Sequence, residues 1–229
     1  MLWYVAGMQK LVSGIVEFRK NTQASYREAF GRLATGQFPD TLFIACSDSR
    51  VVPNTFASTD PGDLFVVRNV GNLIPSCDIH GISASDESEA AAIEFAIQNL
   101  SVKNIVVCGH SECSAMQALL RGRRLVKMPN LRSWLRHGEL ALEFLKQGHA
   151  PDPTLTESNQ LSQLNSLLQI ENIKSYPIVQ KRIEDGTLSV HAWWFDIAKA
   201  DVYAYLEPEN KFFIIDETRA ARVSALMKK

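Results

Sequence analysis

The chain has 229 residues, 46% hydrophobic and 21% charged, with a formal net charge of -1. This is the composition of an ordinary water-soluble protein with ample apolar mass for a core. Its lysines and arginines are scattered, which gives no electrostatic basis for nucleic acid or an anionic membrane as partner.

From the N-terminus, residues 1–6 are apolar but far too short to span a bilayer. They lack a basic flank, so no signal peptide is expected, and Met8 offers a second start site. Helical periodicity over 8–34 rests on Leu11, Ile15, Phe18, Tyr26, Phe30 and Leu33, with a break near Asn21 and Thr22. It defines a helical arm over 1–35. Short continuous apolar runs at 41–46, 63–68 and 104–108 predict strands buried on both faces. A helix is predicted over 88–100 with Ser88 as its N-cap, a second opening at His110 or Ser111, and a third near Pro129. Residues 148–156 carry Pro151 and Pro153 without periodicity and read as a linker. A long helix follows around 160–170, then a shorter one over 177–184. Gly186 and Thr187 turn the chain into a strand at 188–195, and 201–206 pairs with 211–215 as a hairpin around 207–210. The end, 219–229, reads as a terminal helix or a tail. Alternating strands and helices at this spacing predict an α/β fold. Its mostly parallel central sheet is flanked by helices, with an antiparallel C-terminal hairpin and the N-terminal arm, all as one domain over 1–229.

The chemistry concentrates in Cys46-Ser47-Asp48-Ser49-Arg50 and His110-Ser111-Glu112-Cys113. Two thiolates and an imidazole are ligands that Zn²⁺ prefers, and a catalytic zinc keeps three protein ligands and one open position. Cys46 and Asp48 lie two apart at a strand end, so their side chains leave on one face. His110 and Cys113, three apart at a helix start, are neighbours. Both motifs fall at C-terminal ends of parallel strands, where ligands bind in open α/β sheets. The other cysteines read differently, Cys108 as core and Cys77 as a loop bystander. The absence of any C-x-x-C pair excludes a thioredoxin-like redox motif. Few cysteines, two of them in ligand-bearing motifs, point to a reducing compartment. The competing reading makes Cys46 and Cys113 ordinary buried thiols. Asp48 has three possible parts if zinc is bound: base, structural partner of Arg50, or fourth zinc ligand in a closed form.

The segments Cys46-Ser-Asp-Ser-Arg-Val51, Pro61-Gly-Asp-Leu-Phe-Val-Val-Arg-Asn69, Gly109-His-Ser-Glu-Cys113 and His191-Ala-Trp-Trp-Phe-Asp196 resemble the β-class carbonic anhydrases. The likeness runs from about Lys10 to Asp216. It implies a zinc lyase that interconverts CO₂ and bicarbonate, with Cys46, His110 and Cys113 as metal ligands. It further implies Asp48 as the orienting base held ionised by Arg50, and Gln37 as a hydrogen-bonding substrate residue. Phe65, Val70 and Phe95 would line an apolar CO₂ pocket near a subunit interface. Homodimers, or assemblies of such dimers, are expected through N-terminal helices that wrap the partner. The expected location is the cytoplasm, within a microcompartment if the host packages the protein. Two departures stand out. Ser114 occupies a position usually held by glycine, where its side chain either crowds the substrate or adds a hydrogen bond. Ser83-Ala-Ser-Asp-Glu-Ser88 stands where a glycine-rich helix entry is usual, adding Asp86 and Glu87, which either favour the helix dipole or shift the pKa of a nearby group. Phe43 and Ala45 match the always-open form, so Asp48 is expected to pair with Arg50 rather than with zinc. The alternatives are a hydrolase of a CO₂ analogue such as carbon disulfide, and a non-catalytic zinc-binding assembly module.

Overall fold

The structure, a computed structural model, describes residues 2–226. The chain forms two compact units that divide between Phe38 and Pro39. In the first, helix α1 (Leu2–Glu17) runs into a π-helical turn (Phe18–Thr22) and then α2 (Gln23–Leu33). The turn lies where the sequence breaks its periodicity: Thr22 leaves helical geometry at φ -121°, and its carbonyl accepts a hydrogen bond from Ser25 Oγ. Across it the Phe18 and Tyr26 rings stack with centroids 6.5 Å apart. Leu11, Ile15 and Phe30 of this unit are half exposed or more.

The second unit is built on one six-stranded sheet. Its strands are β1 (Thr41–Cys46), β2 (Leu64–Asn69), β3 (Asn104–His110), β4 (Ser189–Asp196), β5 (Asp201–Leu206) and β6 (Lys211–Ile214), in the order β2-β1-β3-β4-β5-β6. The first four in that order are mutually parallel, and β5 and β6 continue the sheet antiparallel. The helices are α3 (Pro53–Phe56), α4 (Glu87–Gln98), α5 (Ser114–Arg121), α6 (Pro129–Trp134), α7 (Glu139–Lys146), α8 (Glu157–Lys174), α9 (Pro177–Glu184) and α10 (Ala220–Leu226), with 3₁₀ turns at Arg123–Leu125, Leu135–Gly138 and Glu207–Glu209. Residues 227–229 of the predicted terminal element lie outside the described residues.

The central strands read as unbroken apolar runs because both faces are covered. Successive side chains point to opposite faces. Leu42 and Ile44 of β1 with Ile105 and Val107 of β3 pack under α4, α8 and α9, against Ile93, Ile97, Ile170 and Ile173. Phe43, Ala45, Val106 and Cys108 face the other way, with Val51 and Phe195. Cys108 is fully buried, as expected of a core thiol, and burial pushes its pKa up. The chain leaves β1 to one side for β2 and returns on the other side for β3. The strand order therefore reverses between β1 and β3, the place where α/β sheets gather ligands.

The fold differs from the sequence expectations at three points. The N-cap of α4 is Asp86, not Ser88: its Oδ1 accepts the Ser88 amide at 2.8 Å, so this acid serves the helix end directly. Strands β2 and β4 each lie one residue later than predicted, and β2, at the edge of the sheet with a neighbour on one side only, is half-buried rather than buried on both faces. Most consequentially, no helix opens at His110 or Ser111. Strand β3 carries on to His110, and α5 begins only at Ser114 with Cys113 as its N-cap.

Candidate metal centre

Cys46 ends β1, His110 ends β3, and Cys113 stands at the mouth of α5. One ligand atom from each lies within 4.8 Å of the others, and all three residues are buried. Two sulfurs bound to one tetrahedral zinc stand about 3.8 Å apart, so the cluster is of the right size. His110 and Cys113 are not helical neighbours. They meet because Glu112 takes a left-handed backbone, φ +54°, that folds the chain back after β3. The Glu112 amide donates to Asn159 Oδ1 at 2.8 Å, which holds that turn against α8.

His110 is oriented from every side. Its Nδ1 lies 2.8 Å from the Ser111 carbonyl, which makes Nδ1 the protonated nitrogen and leaves a lone pair on Nε2. Ser111 is itself fixed to the end of β4: its amide donates to Phe195 O, and its Oγ accepts from the Ile197 amide. Ser162 of α8 accepts from the His110 amide at 3.1 Å and donates to its carbonyl at 2.7 Å. The approach is so close that a Cβ on Gly109 would sit 2.4 Å from Ser166 Oγ. What remains is His110 Nε2, buried and without a hydrogen-bond partner. A buried polar nitrogen left bare is costly, and an electrophile among two sulfurs removes that cost.

The two thiols push each other's ionisation in opposite directions. Donation from the Cys113 thiol, against burial, pulls the Cys46 pKa down to about 4, and His110 and the Gly71 amide add to the pull. Cys113 is pushed up, since Cys46 and burial both oppose its ionisation. The amides of Met116 and Ala115 favour its thiolate, as the start of a helix should. A divalent cation between them would favour the ionised form of both sulfurs. The donor set and its burial therefore fit zinc.

Asp48 and Arg50 flank this cluster. The guanidinium grips the carboxylate in a fork, Nε to Oδ1 at 2.9 Å and Nη2 to Oδ2 at 2.7 Å, while the Arg50 amide also donates to Oδ1 at 3.0 Å. The Arg50 side chain, against partial burial, holds the Asp48 carboxyl well below the usual carboxylate range. Arg50 Nη2 reaches on to the Glu112 carbonyl, tying the first motif to the second.

Residues not singled out by sequence complete the frame. Arg68 of β2 donates to the carbonyls of both Cys46 and Asp48, at 3.0 and 2.6 Å, and pins the turn after β1. The Gly71 amide points at Cys46 Sγ, 3.3 Å away. Gly71 has φ +85°, and a Cβ there would meet Ala115 Cβ at 2.9 Å, so glycine is demanded twice over. The only sequence signal for these two was position, Arg68 inside the segment 61–69 and Gly71 just beyond it. Ser162 gave no signal, lying in α8 about fifty residues from the histidine it holds.

Of the remaining predicted site residues, the Phe65 and Phe95 rings are in contact, with centroids 5.8 Å apart. Val70 is 44% exposed beside Gly71. Ser114 is the first residue of α5, with its side chain exposed. Gln37 is an exposed residue of the first unit.

Known proteins resemble this chain in both sequence and fold. The profile of the carbonic anhydrase family matches residues 41–202. The chain is 39% identical over 211 residues to a carbonic anhydrase of Synechococcus elongatus, covering 92% of this chain and 76% of that protein. It is 34% identical to one of Pseudomonas aeruginosa, covering 92% and 93%. Among solved structures, the β-carbonic anhydrase CcaA superposes with a TM-score of 0.84 at 36% identity, over 93% of both chains. A tetrameric β-carbonic anhydrase of Sordaria macrospora superposes with a TM-score of 0.68 at 28% identity, over 89% of this chain and 96% of that one.

Proposed function

The chain belongs to the β-class carbonic anhydrases, and from that premise we propose that Cys46, His110 and Cys113 hold the zinc on which this family depends. Its activity is the reversible hydration of CO₂ to bicarbonate and a proton. The observation that carries the site assignment is the bare, buried His110 Nε2 between two sulfurs.

Zinc held there by Cys46, His110 and Cys113 would supply Lewis acidity, which lowers the pKa of water toward neutral pH and favours negative charge on oxygen. The chain's own residues do the rest. A carboxylate offers about four lone-pair positions, and Asp48 commits three contacts to Arg50, so it keeps acceptor capacity for one more donor. It takes the hydrogen bond of the reacting water and aims the oxygen's lone pair at CO₂. Arg50 keeps Asp48 ionised and, by occupying it, away from the metal. Phe65, Val70 and Phe95 form the apolar niche for CO₂, which the Phe65–Phe95 contact supports, and Ser114 either crowds the substrate or hydrogen-bonds it. Residues 1–229 act as one functional domain with 1–35 as its arm.

The protein works as a homodimer or an assembly of dimers, a reading supported by the exposed Leu11 and Ile15 of the first unit. Among the described residues no helix is long and apolar enough to cross a membrane. The cytoplasm, or a microcompartment within it, is the proposed location. The test is a zinc count per chain together with isotope exchange between CO₂ and water. One zinc per chain with rapid exchange is expected in the wild type and retained in Ser114→Gly. His110→Gln is expected to lose both. Full exchange by metal-free protein would overturn the site assignment.

A further inference from the structure

Resting on the assignment of Cys46 as a metal ligand, we propose that Trp134 is a positioning residue for the metal centre, acting through a single peptide unit. The indole Nε1 at the end of α6 donates to the Val70 carbonyl at 2.7 Å. The amide of that same peptide belongs to Gly71, and it donates to Cys46 Sγ at 3.3 Å. In a trans peptide the carbonyl and the amide point in opposite directions. Trp134 therefore pulls on one end of a rigid plate whose other end faces the thiolate.

Two consequences follow from that chain of donors. Hydrogen bonds in series polarise one another, so the indole strengthens the Gly71 amide as a donor to sulfur. The same grip fixes Val70 at the mouth of the apolar niche. The next peptide is held independently: Asn165, fully buried in α8, donates to the Gly71 carbonyl at 3.1 Å, and its Oδ1 accepts from Gln169. The Gly71 amide joins the loop to the Cys46 sulfur, and a larger residue cannot replace Gly71. The orientation of its amide is thus set by Trp134 on one side and Asn165 on the other.

The experiment uses the full chain, loaded with zinc or with cobalt as a spectroscopic substitute. Trp134→Phe removes the donor and keeps an aromatic ring. Asn165→Leu serves the same purpose should the first variant fold poorly. Asn172→Ala, which frees the Ile74 carbonyl farther along the loop, reports simple loosening. Chelator competition should show zinc affinity falling about tenfold or more in Trp134→Phe, the scale of lost outer-shell support at metal sites. The sulfur-to-cobalt charge-transfer band should shift in Trp134→Phe and Asn165→Leu and stay in place in Asn172→Ala. Wild-type affinity and an unmoved band in both variants, with the wild type carrying one zinc, would overturn the role of Trp134 alone. That role is equally overturned if Asn172→Ala moves the band as far as Trp134→Phe does. A wild type that takes up no zinc would bring down the metal-centre assignment with it.

Discussion

Asp48 and Arg50 are only two residues apart, yet the guanidinium turns back far enough to meet the carboxylate with two parallel N–H donors. Charge-assisted forks of this kind are among the stronger hydrogen-bonded pairs. Here the pair keeps a carboxylate ionised and aimed while part of its accepting capacity stays free. Asp48→Asn should therefore lower kcat by about 10²–10⁴-fold, the usual contribution of a positioned acid or base. Zinc content should be unchanged, because Asp48 lies outside the cluster of Cys46, His110 and Cys113 that could hold a metal. Loss of zinc in that variant would show the carboxylate to be a ligand. At this scale the sequence was highly legible: side chains that bind metal must be of a few chemical types, and those types stood in two short segments. Arg68, Gly71 and Trp134 were not legible as site residues. They act through backbone carbonyls and amides, which every residue has, so residue type alone carries no mark of the partner.

Among the elements, the segment between β3 and α5 departs most from expectation. Residues 110–113 have helical spacing, and Pro and Gly are absent from them, so nothing local forbids a helix. Tertiary contacts decide otherwise. Strand β3 is extended by pairing with β4 as far as His110 opposite Phe195, and Glu112 is forced left-handed by the turn that follows. Helix α8 secures that outcome. Ser162 occupies both backbone groups of His110 and also accepts from the Trp194 indole at 3.2 Å. Ser162→Ala strands these groups in a site that water does not reach. A loss of about 1–3 kcal/mol in urea unfolding is expected, the range for orphaning a buried hydrogen-bonding group. A change within a few tenths would mean that the strand holds its histidine without help from α8. The buried polar stripe of α8 (Ser162, Asn165, Ser166, Gln169) also explains why its sequence lacks a clean apolar face. It packs against irregular backbone at the strand ends, and such backbone needs partners.

For the second unit as a whole, His137 and His191 record how the fold excludes water. Burial lowers both from the ordinary 6.5 to about 4, with the nearby Arg136 cation adding to the effect on His137. Each stays neutral in the folded chain while the unfolded chain gains a proton below pH 6.5. The unfolded state therefore binds more protons between about pH 4 and 6.5, and stability falls as the pH drops through that window. Above it the contribution is complete and flat. Replacing both with Gln should flatten the acid branch of stability against pH, relative to wild type under matched metal loading. Urea unfolding at several pH values measures this, and parallel curves for the two proteins would refute it.

Much of the architecture could be read in advance: the parallel strands, two of them buried on both faces, the long α8, the closing hairpin and the interruption of the N-terminal helix all follow from local periodicity and turn chemistry. The ligand types were readable for the same reason, since zinc chemistry restricts them to few residues. What the chain alone left undecided was how those residues are held. Whether His110 belongs to a strand or a helix, which nitrogen it leaves bare, and which amide faces Cys46 depend on contacts between segments far apart in the chain. Such contacts exist only after the strands order themselves around the β1–β3 reversal, because a hydrogen bond to the backbone is specified by position in space and not by the identity of the residue that offers it.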